Sequence, residues 1–173
     1  MSKSSDAPMI LLDSDVIRHF INGGQLDKLA SIFPGRFMIL DKVKQEICRS
    51  ASLKPVVEGF ITSQNIRVMS FPKDQAIIME YAYLCREFGV GESACMAVAR
   101  HQKQFIASSN LKDIRKFCEK HGITYLTTMD ILSQALDDNI LSADECNQFI
   151  ADVLAKGSKL PFTNIADFRN SKV

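Results

Sequence analysis

The chain reads as an α/β protein, a three-layer α/β/α sandwich built on a five-stranded parallel sheet. Two observations predict this class. Five short apolar runs occur at Met9–Leu12, Arg36–Leu40, Ile66–Phe71, Gln104–Ala107 and Ile123–Leu126, and each is followed by a stretch of helical period. Within the runs apolarity is nearly continuous rather than alternating, which marks strands covered on both faces. Strands of that kind belong to parallel sheets whose crossovers are helices.

The first run ends directly at Asp13, and a helix is expected from near Val16. Pro34-Gly35 turns the chain into the second run, and Val43-Lys44-Gln45-Glu46-Ile47 opens a helix after it. Phe71-Pro72 closes the third run. Residues Lys73–Phe88 then carry Ile77, Ile78, Tyr81, Leu84, Cys85 and Phe88 at three- and four-residue intervals. Gly89 and Gly91 break the chain before Ala94-Cys95-Met96-Ala97-Val98-Ala99, apolar all round and therefore a buried helix. After the fourth run, Ser108-Ser109-Asn110 leads into a helix from near Leu111. It ends at Gly122 behind Lys120-His121, where a helix dipole favours positive charge. Ser142 followed by Glu145 forms a capping box for a helix over Ser142–Ala155, whose stripe is Cys146, Phe149, Ile150, Val153 and Leu154. One domain is expected over residues 9–155. Residues 1–8 form a flexible polar start, and residues 156–173 a tail that loses periodicity and lies over the surface or frays.

At 173 residues, 46% hydrophobic and 24% charged, the chain has the size and composition of one globular domain. Its net charge of +1 gives no general attraction to polyanions, although local patches matter more than the sum. No apolar run approaches the roughly 18 residues that span a membrane, and the N-terminus lacks a signal-peptide core. The five cysteines are scattered without metal-site or disulfide spacing, so they read as small buried hydrophobes in a reducing cytoplasm. His19, His101 and His121 are isolated and read as helix-surface residues.

Four positions carry chemistry. In an open parallel sheet, ligands bind beyond the carboxyl ends of the strands. Asp13 stands at such an end, as a helix N-cap or a ligand; Asp15 is the better cap, or a supporting partner. Glu46 borders the apolar face of its helix, where a carboxylate is costly unless it meets a cation or water. Glu92 occupies the first turn of the buried helix, a place favoured by the helix dipole and suited to a metal in a cleft. Asn110 offers a neutral carbonyl oxygen, and Asp113, one turn further, is a first-turn acid or a member of the same cluster. Hard cations such as Mg²⁺ take oxygen ligands of this kind.

Taken together these segments resemble the PIN domain. Ile10-Leu11-Leu12-Asp13-Ser14-Asp15-Val16-Ile17 is similar to the family's opening strand, and Val43-Lys44-Gln45-Glu46-Ile47 to the segment with its second acid. Gly89-Val90-Gly91-Glu92-Ser93-Ala94 is similar to the glycine-flanked acidic motif that opens its central helix. Phe105-Ile106-Ala107-Ser108-Ser109-Asn110 and Thr127-Thr128-Met129-Asp130-Ile131-Leu132 resemble its later strands and helix starts, so the likeness runs from Met9 to Asp138. It implies an α/β/α fold and a Mg²⁺- or Mn²⁺-dependent ribonuclease, in a toxin–antitoxin pair or in RNA processing. The implied metal set is Asp13, Glu46, Glu92, Asn110 and Asp113, with Arg18, Lys112 and Arg115 near the substrate phosphates. Asn110 departs from the acid usual in the family, and Asp113 could compensate for it. The alternative is a degenerate module that binds RNA or a protein without cutting. RNA, an antitoxin-type partner and a second copy of the chain are the expected partners, with an exposed apolar patch around Phe162 and Phe168 as the marker of a protein interface.

Overall fold

The computed structural model describes residues 7–172. Five parallel strands form one sheet: β1 (Ile10–Leu12), β2 (Phe37–Leu40), β3 (Arg67–Met69), β4 (Phe105–Ala107) and β5 (Tyr125–Leu126), in the order β3-β2-β1-β4-β5. The three central strands are buried almost completely, as their unbroken apolarity requires. Register is set by Ile10 opposite Phe37 on one side and Phe105 on the other. Helices flank the sheet and complete the three-layer α/β/α class.

The connections are α1 (Ser14–Asn22), α2 (Leu26–Ile32), α3 (Asp41–Ile47), α4 (Lys54–Ser63), α5 (Gln75–Leu84), α6 (Val90–Gln102), α7 (Leu111–His121) and α8 (Thr128–Asp137). Two more helices, α9 (Ala143–Ala155) and α10 (Ile165–Ser171), follow the sheet. The all-apolar helix α6 lies against β1, β2 and β4 and packs on α3, α5 and α7, with every residue from Gly91 to Ala99 buried. The chain leaves β1 toward β2 and β3, then returns to β4 on the other side of β1. That reversal of direction opens a crevice at the carboxyl ends of β1 and β4.

The helix ends follow local chemistry. Ser142 and Glu145 make the expected reciprocal capping box at α9, and Thr127 with Asp130 makes a second one at α8. Gly122 ends α7 in the left-handed conformation at φ 64°. The helix expected over Lys73–Phe88 is shorter: Asp74 caps it through the amides of Ala76 and Ile77, and it stops at Leu84.

Three expectations are corrected. The tail does not lack regular structure, because Asn164 accepts from the Asp167 amide and starts α10, whose Ile165 and Phe168 are buried against α8 and α9. Phe168 therefore does not lie in an exposed patch; its ring meets Phe162 edge-on at 5.5 Å. His19 is not a surface residue. It is only 6% exposed, and its Nδ1 lies 2.8 Å from Thr128 Oγ1. The flexible start expected over residues 1–8 falls outside the described residues up to Asp6, whereas the Pro8 carbonyl accepts from Arg36 at 2.9 and 3.1 Å.

Candidate metal centre

The carboxyl ends of the strands bring together acids far apart in sequence. Asp13 follows β1, where its amide donates to the Ala107 carbonyl at the end of β4. It is 5% exposed, and it caps α1 by accepting from the Ser14 amide at 2.8 Å. Asp13 is thus the cap, in place of Asp15. Asp15 accepts from the Val16 amide at 2.6 Å and from the Ser109 amide at 2.8 Å, so it ties α1 to the turn after β4.

Glu46, in the last turn of α3, accepts from the Ser14 hydroxyl at 3.3 Å and from the Gly91 amide at 2.8 Å. A β-carbon placed on Gly91 would lie 2.5 Å from Glu46 Oε2 and 3.5 Å from Asp13 Oδ1. Both carboxylates therefore converge on the entry to α6, and only glycine leaves them room. Glu92 follows at once, 7% exposed, with Oε1 buried and without any hydrogen-bond partner. Asn110 is the N-cap residue of α7. Its side-chain amide donates to Asp113 Oδ2 at 2.7 Å and favours the charged form of the Glu92 carboxylate. Asp113 thereby joins the edge of the cluster through Asn110.

Charge is crowded here. Among the described residues, none of the ion pairs involves Asp13, Asp15, Glu46, Glu92 or Asp113. Burial first, then the neighbouring Asp15, Glu92 and Glu46, pushes the Asp13 carboxyl well above the usual range. Burial, with Asp113 and Asp15 next, raises Glu92 to about 7. Burial also raises Asp15, against the lowering effect of the Ser109 and Val16 amides.

Of the expected phosphate contacts, Arg18 lines a 220 Å³ cavity together with Asp15 and Asn110. Arg115 is exposed and paired with Glu119 at 3.1 Å, and Lys112 is exposed in the first turn of α7. Asp41 follows β2 as Asp13 follows β1, yet it neighbours Tyr81 rather than the cluster. Position after a strand is therefore not sufficient. Sequence reasoning missed the chain of hydroxyls that backs Asp15: Ser109 Oγ lies 2.7 Å from Thr128 Oγ1, which in turn meets His19. Serine and threonine at a turn carry no periodic signal that would have revealed it.

The donor set suits a hard divalent cation. Its oxygens are carboxylate or amide, its acids enter no ion pair among the described residues, and one buried oxygen of Glu92 has no partner. Among the described residues no three or more His, Cys, Asp or Glu side chains are grouped closely enough to hold a metal ion together. Asp13 and Glu46 turn oxygens to the Ser14 amide and hydroxyl and to the Gly91 amide.

The comparisons agree with this architecture. The chain is similar in fold to a chain of VapBC2 from Rickettsia felis, whose crystal structure is bound to a DNA fragment from their promoter. The TM-score is 0.52 and the identity 13%, over 69% of this chain and 98% of that one. No curated protein matches. Among the described residues no helix is long and apolar enough to cross a membrane. A family profile described as the PIN domain matches residues 9–168, which include every acid of the cluster and all but the end of α10. The chain belongs to the PIN domain family.

Proposed function

We propose that the chain is a divalent-metal-dependent ribonuclease that hydrolyses RNA phosphodiester bonds. The observation that carries this reading is the group of buried acids around Gly91, in no ion pair among the described residues and with one Glu92 oxygen unpartnered. Asp13, Glu46 and Glu92, with Asn110 or Asp113, are the residues that would hold Mg²⁺ or Mn²⁺. A divalent cation held there would supply positive charge to activate a water and to steady the scissile phosphate and the leaving oxygen.

The chain's own residues do the rest. Asp13 and Glu46 are oriented by the Ser14 amide and hydroxyl and by the Gly91 amide. Asp15 fixes the turn that carries Asn110 through the Ser109 amide. Arg18, Lys112 and Arg115 are the residues that would hold backbone phosphates of the strand, and Arg18 lines the cavity beside Asp15 and Asn110. No side-chain nucleophile is required.

The likeness to a chain of VapBC2 supports a place beside a protein partner, as in a toxin with its antitoxin, or a homodimer. Five free cysteines fit a reducing cytoplasm. Asn110 favours one rival, a domain that binds RNA or a partner without cutting, because it removes one negative charge from the donor set. Cleavage of single-stranded RNA decides between them. Hydrolysis that needs added Mg²⁺ or Mn²⁺ and vanishes in Asp13→Asn supports the enzyme; full activity in that variant overturns the metal assignment. Cation binding and RNA binding without any cleavage support the rival.

A further inference from the structure

Two cavities share Ser109 beside the acid cluster, one walled by Ser158 and Lys159 and the other by Pro161 and Phe162. The first, of 220 Å³, is lined by Asp15, Arg18, Ser109 and, from the tail, Ser158 and Lys159. The second, of 260 Å³, is lined by Ser109, Arg115, Tyr125, Met129 and, from the tail, Pro161 and Phe162. Ser109 is common to both, and its amide is the group that holds Asp15 Oδ2 at 2.8 Å.

The chemistry of the two cavities differs in a way that matches a nucleotide. Arg18 and Lys159 take part in none of the ion pairs among the described residues. Ser158 Oγ accepts from Asn22 Nδ2 at 3.1 Å, which leaves its hydroxyl proton free to donate. Two uncommitted cations and a hydroxyl donor suit a phosphodiester. The second cavity presents aromatic faces instead. The Phe162 ring is held edge-on to Phe168 at an interplanar angle of 72°, and Tyr125 lines the same cavity. Arg115 at the rim is bound only to an exposed Glu119, a pair worth little in water, so it is available to a ligand. At 260 Å³ the space is below the roughly 300–1,000 Å³ that accommodates whole drug-sized ligands, and it suits one flat ring system. Bases splayed out of a single strand are held in this manner, between aromatic faces and arginine planes.

We propose that residues 158–162, with α7 and α8, form a subsite for one unpaired nucleobase and its adjoining phosphate, directly beside the acid cluster. The identity of the strand as RNA rests on the ribonuclease reading. A base inside a duplex cannot reach the aromatic cavity, so the subsite selects single strands.

The test is binding of a short fluorescein-labelled single-stranded RNA, and of the same RNA annealed to its complement, by fluorescence anisotropy. The protein carries Asp13→Asn to silence cleavage. Adding Phe162→Ala is expected to raise the Kd for the single strand by about 10-fold or more, with the duplex Kd unchanged, and Phe162→Tyr to retain wild-type affinity. Adding Lys159→Ala is expected to lower the slope of log Kd against log salt by about 0.7. With the variant's Tm shown to match its parent's, equal losses on single strand and duplex overturn the proposal, as does no loss at all. Absence of any single-strand binding overturns it too. Single-strand binding with the expected pattern, in a protein whose unmodified form cleaves nothing, upholds the subsite and overturns the ribonuclease reading alone.

Discussion

The Gly91 amide donates to Glu46 Oε2 at 2.8 Å, across 45 residues of sequence, and a β-carbon at 91 would stand 2.5 Å from that same oxygen. The entry to the buried helix α6 is therefore shaped around a carboxylate. Gly91→Ala is backbone-compatible, so its effect falls on Glu46, which must withdraw from the cluster. The expected result is a loss of about 10–100-fold in divalent-cation affinity, the usual range when an orienting contact is removed. The accompanying stability loss is about 1–3 kcal/mol from overpacking. Calorimetric titration with Mn²⁺ measures the first and denaturant unfolding the second. Unchanged cation affinity would separate Glu46 from the metal set.

The crowding of acids also sets the response to pH. The carboxyl of Glu92 is raised from 4.5 to about 7, chiefly by burial. Between those values the folded chain holds a proton that the unfolded chain has released. Stability of the metal-free protein therefore falls as pH rises from 4.5 through 7, and Asp13 and Asp15, raised in the same direction, add to the slope. In EDTA the Tm is expected to drop steadily over that interval, and saturating Mn²⁺ to flatten the curve by favouring the charged forms. Glu92→Gln removes one of the strained charges and is expected to raise the metal-free Tm at about pH 8 by about 2–4 °C, near 1 kcal/mol. A flat profile in EDTA would contradict the burial of these acids.

The sheet was legible because the apolar runs of its central strands are satisfied only between two layers of helices, whereas the edge strand β3 leaves Arg67 and Val68 exposed; α6 was legible because residues Ala94 to Ala99 leave it no polar face. The order of the acids could be read from their places after strands and at helix starts. Which of them converge could not, since Asp41 occupies the same kind of place as Asp13 and neighbours Tyr81 instead. The choice of cap between Asp13 and Asp15 depended on a partner, the Ser109 amide, 94 residues away. The tail was misread because α10, of seven residues, is too short to show helical period. Its two anchors, Ile165 and Phe168, have meaning only against α8 and α9.

Behind Asp15, the half-buried hydroxyl of Ser109, the buried hydroxyl of Thr128 and the Nδ1 of His19 form a run of hydrogen bonds at 2.7 and 2.8 Å. Burial lowers His19 to about 4, so near neutral pH the ring is uncharged and depends on Thr128 for a partner. Thr128→Val keeps the shape and removes the hydroxyl. The expected cost is about 1–3 kcal/mol, because one ring nitrogen is left buried and unsatisfied. Urea unfolding reads it directly. A cost below about 0.5 kcal/mol, the range of an unremarkable surface change, would mean that the network contributes no stability.

Helix α10 closes the domain rather than trailing from it. The Ile165 amide donates to Asn147 Oδ1 at 2.8 Å on α9, Arg169 pairs with Asp137 of α8 at 2.7 Å, and Lys172 bonds Asp130 at the start of α8. These polar contacts are partly exposed and contribute little each. The apolar anchor dominates: Phe168 is 6% exposed and Ile165 2%. Phe168→Ala is expected to cost about 3 kcal/mol, or a fall of about 6–12 °C in Tm, whereas Lys172→Ala costs less than about 1 kcal/mol. A chain ending at Ala155 loses both anchors and uncovers their apolar partners on α8 and α9. It is expected to unfold at lower temperature than Phe168→Ala and to self-associate. Scanning calorimetry with size-exclusion chromatography compares the three, and an end-truncated chain with unchanged Tm would show that α10 is an appendage.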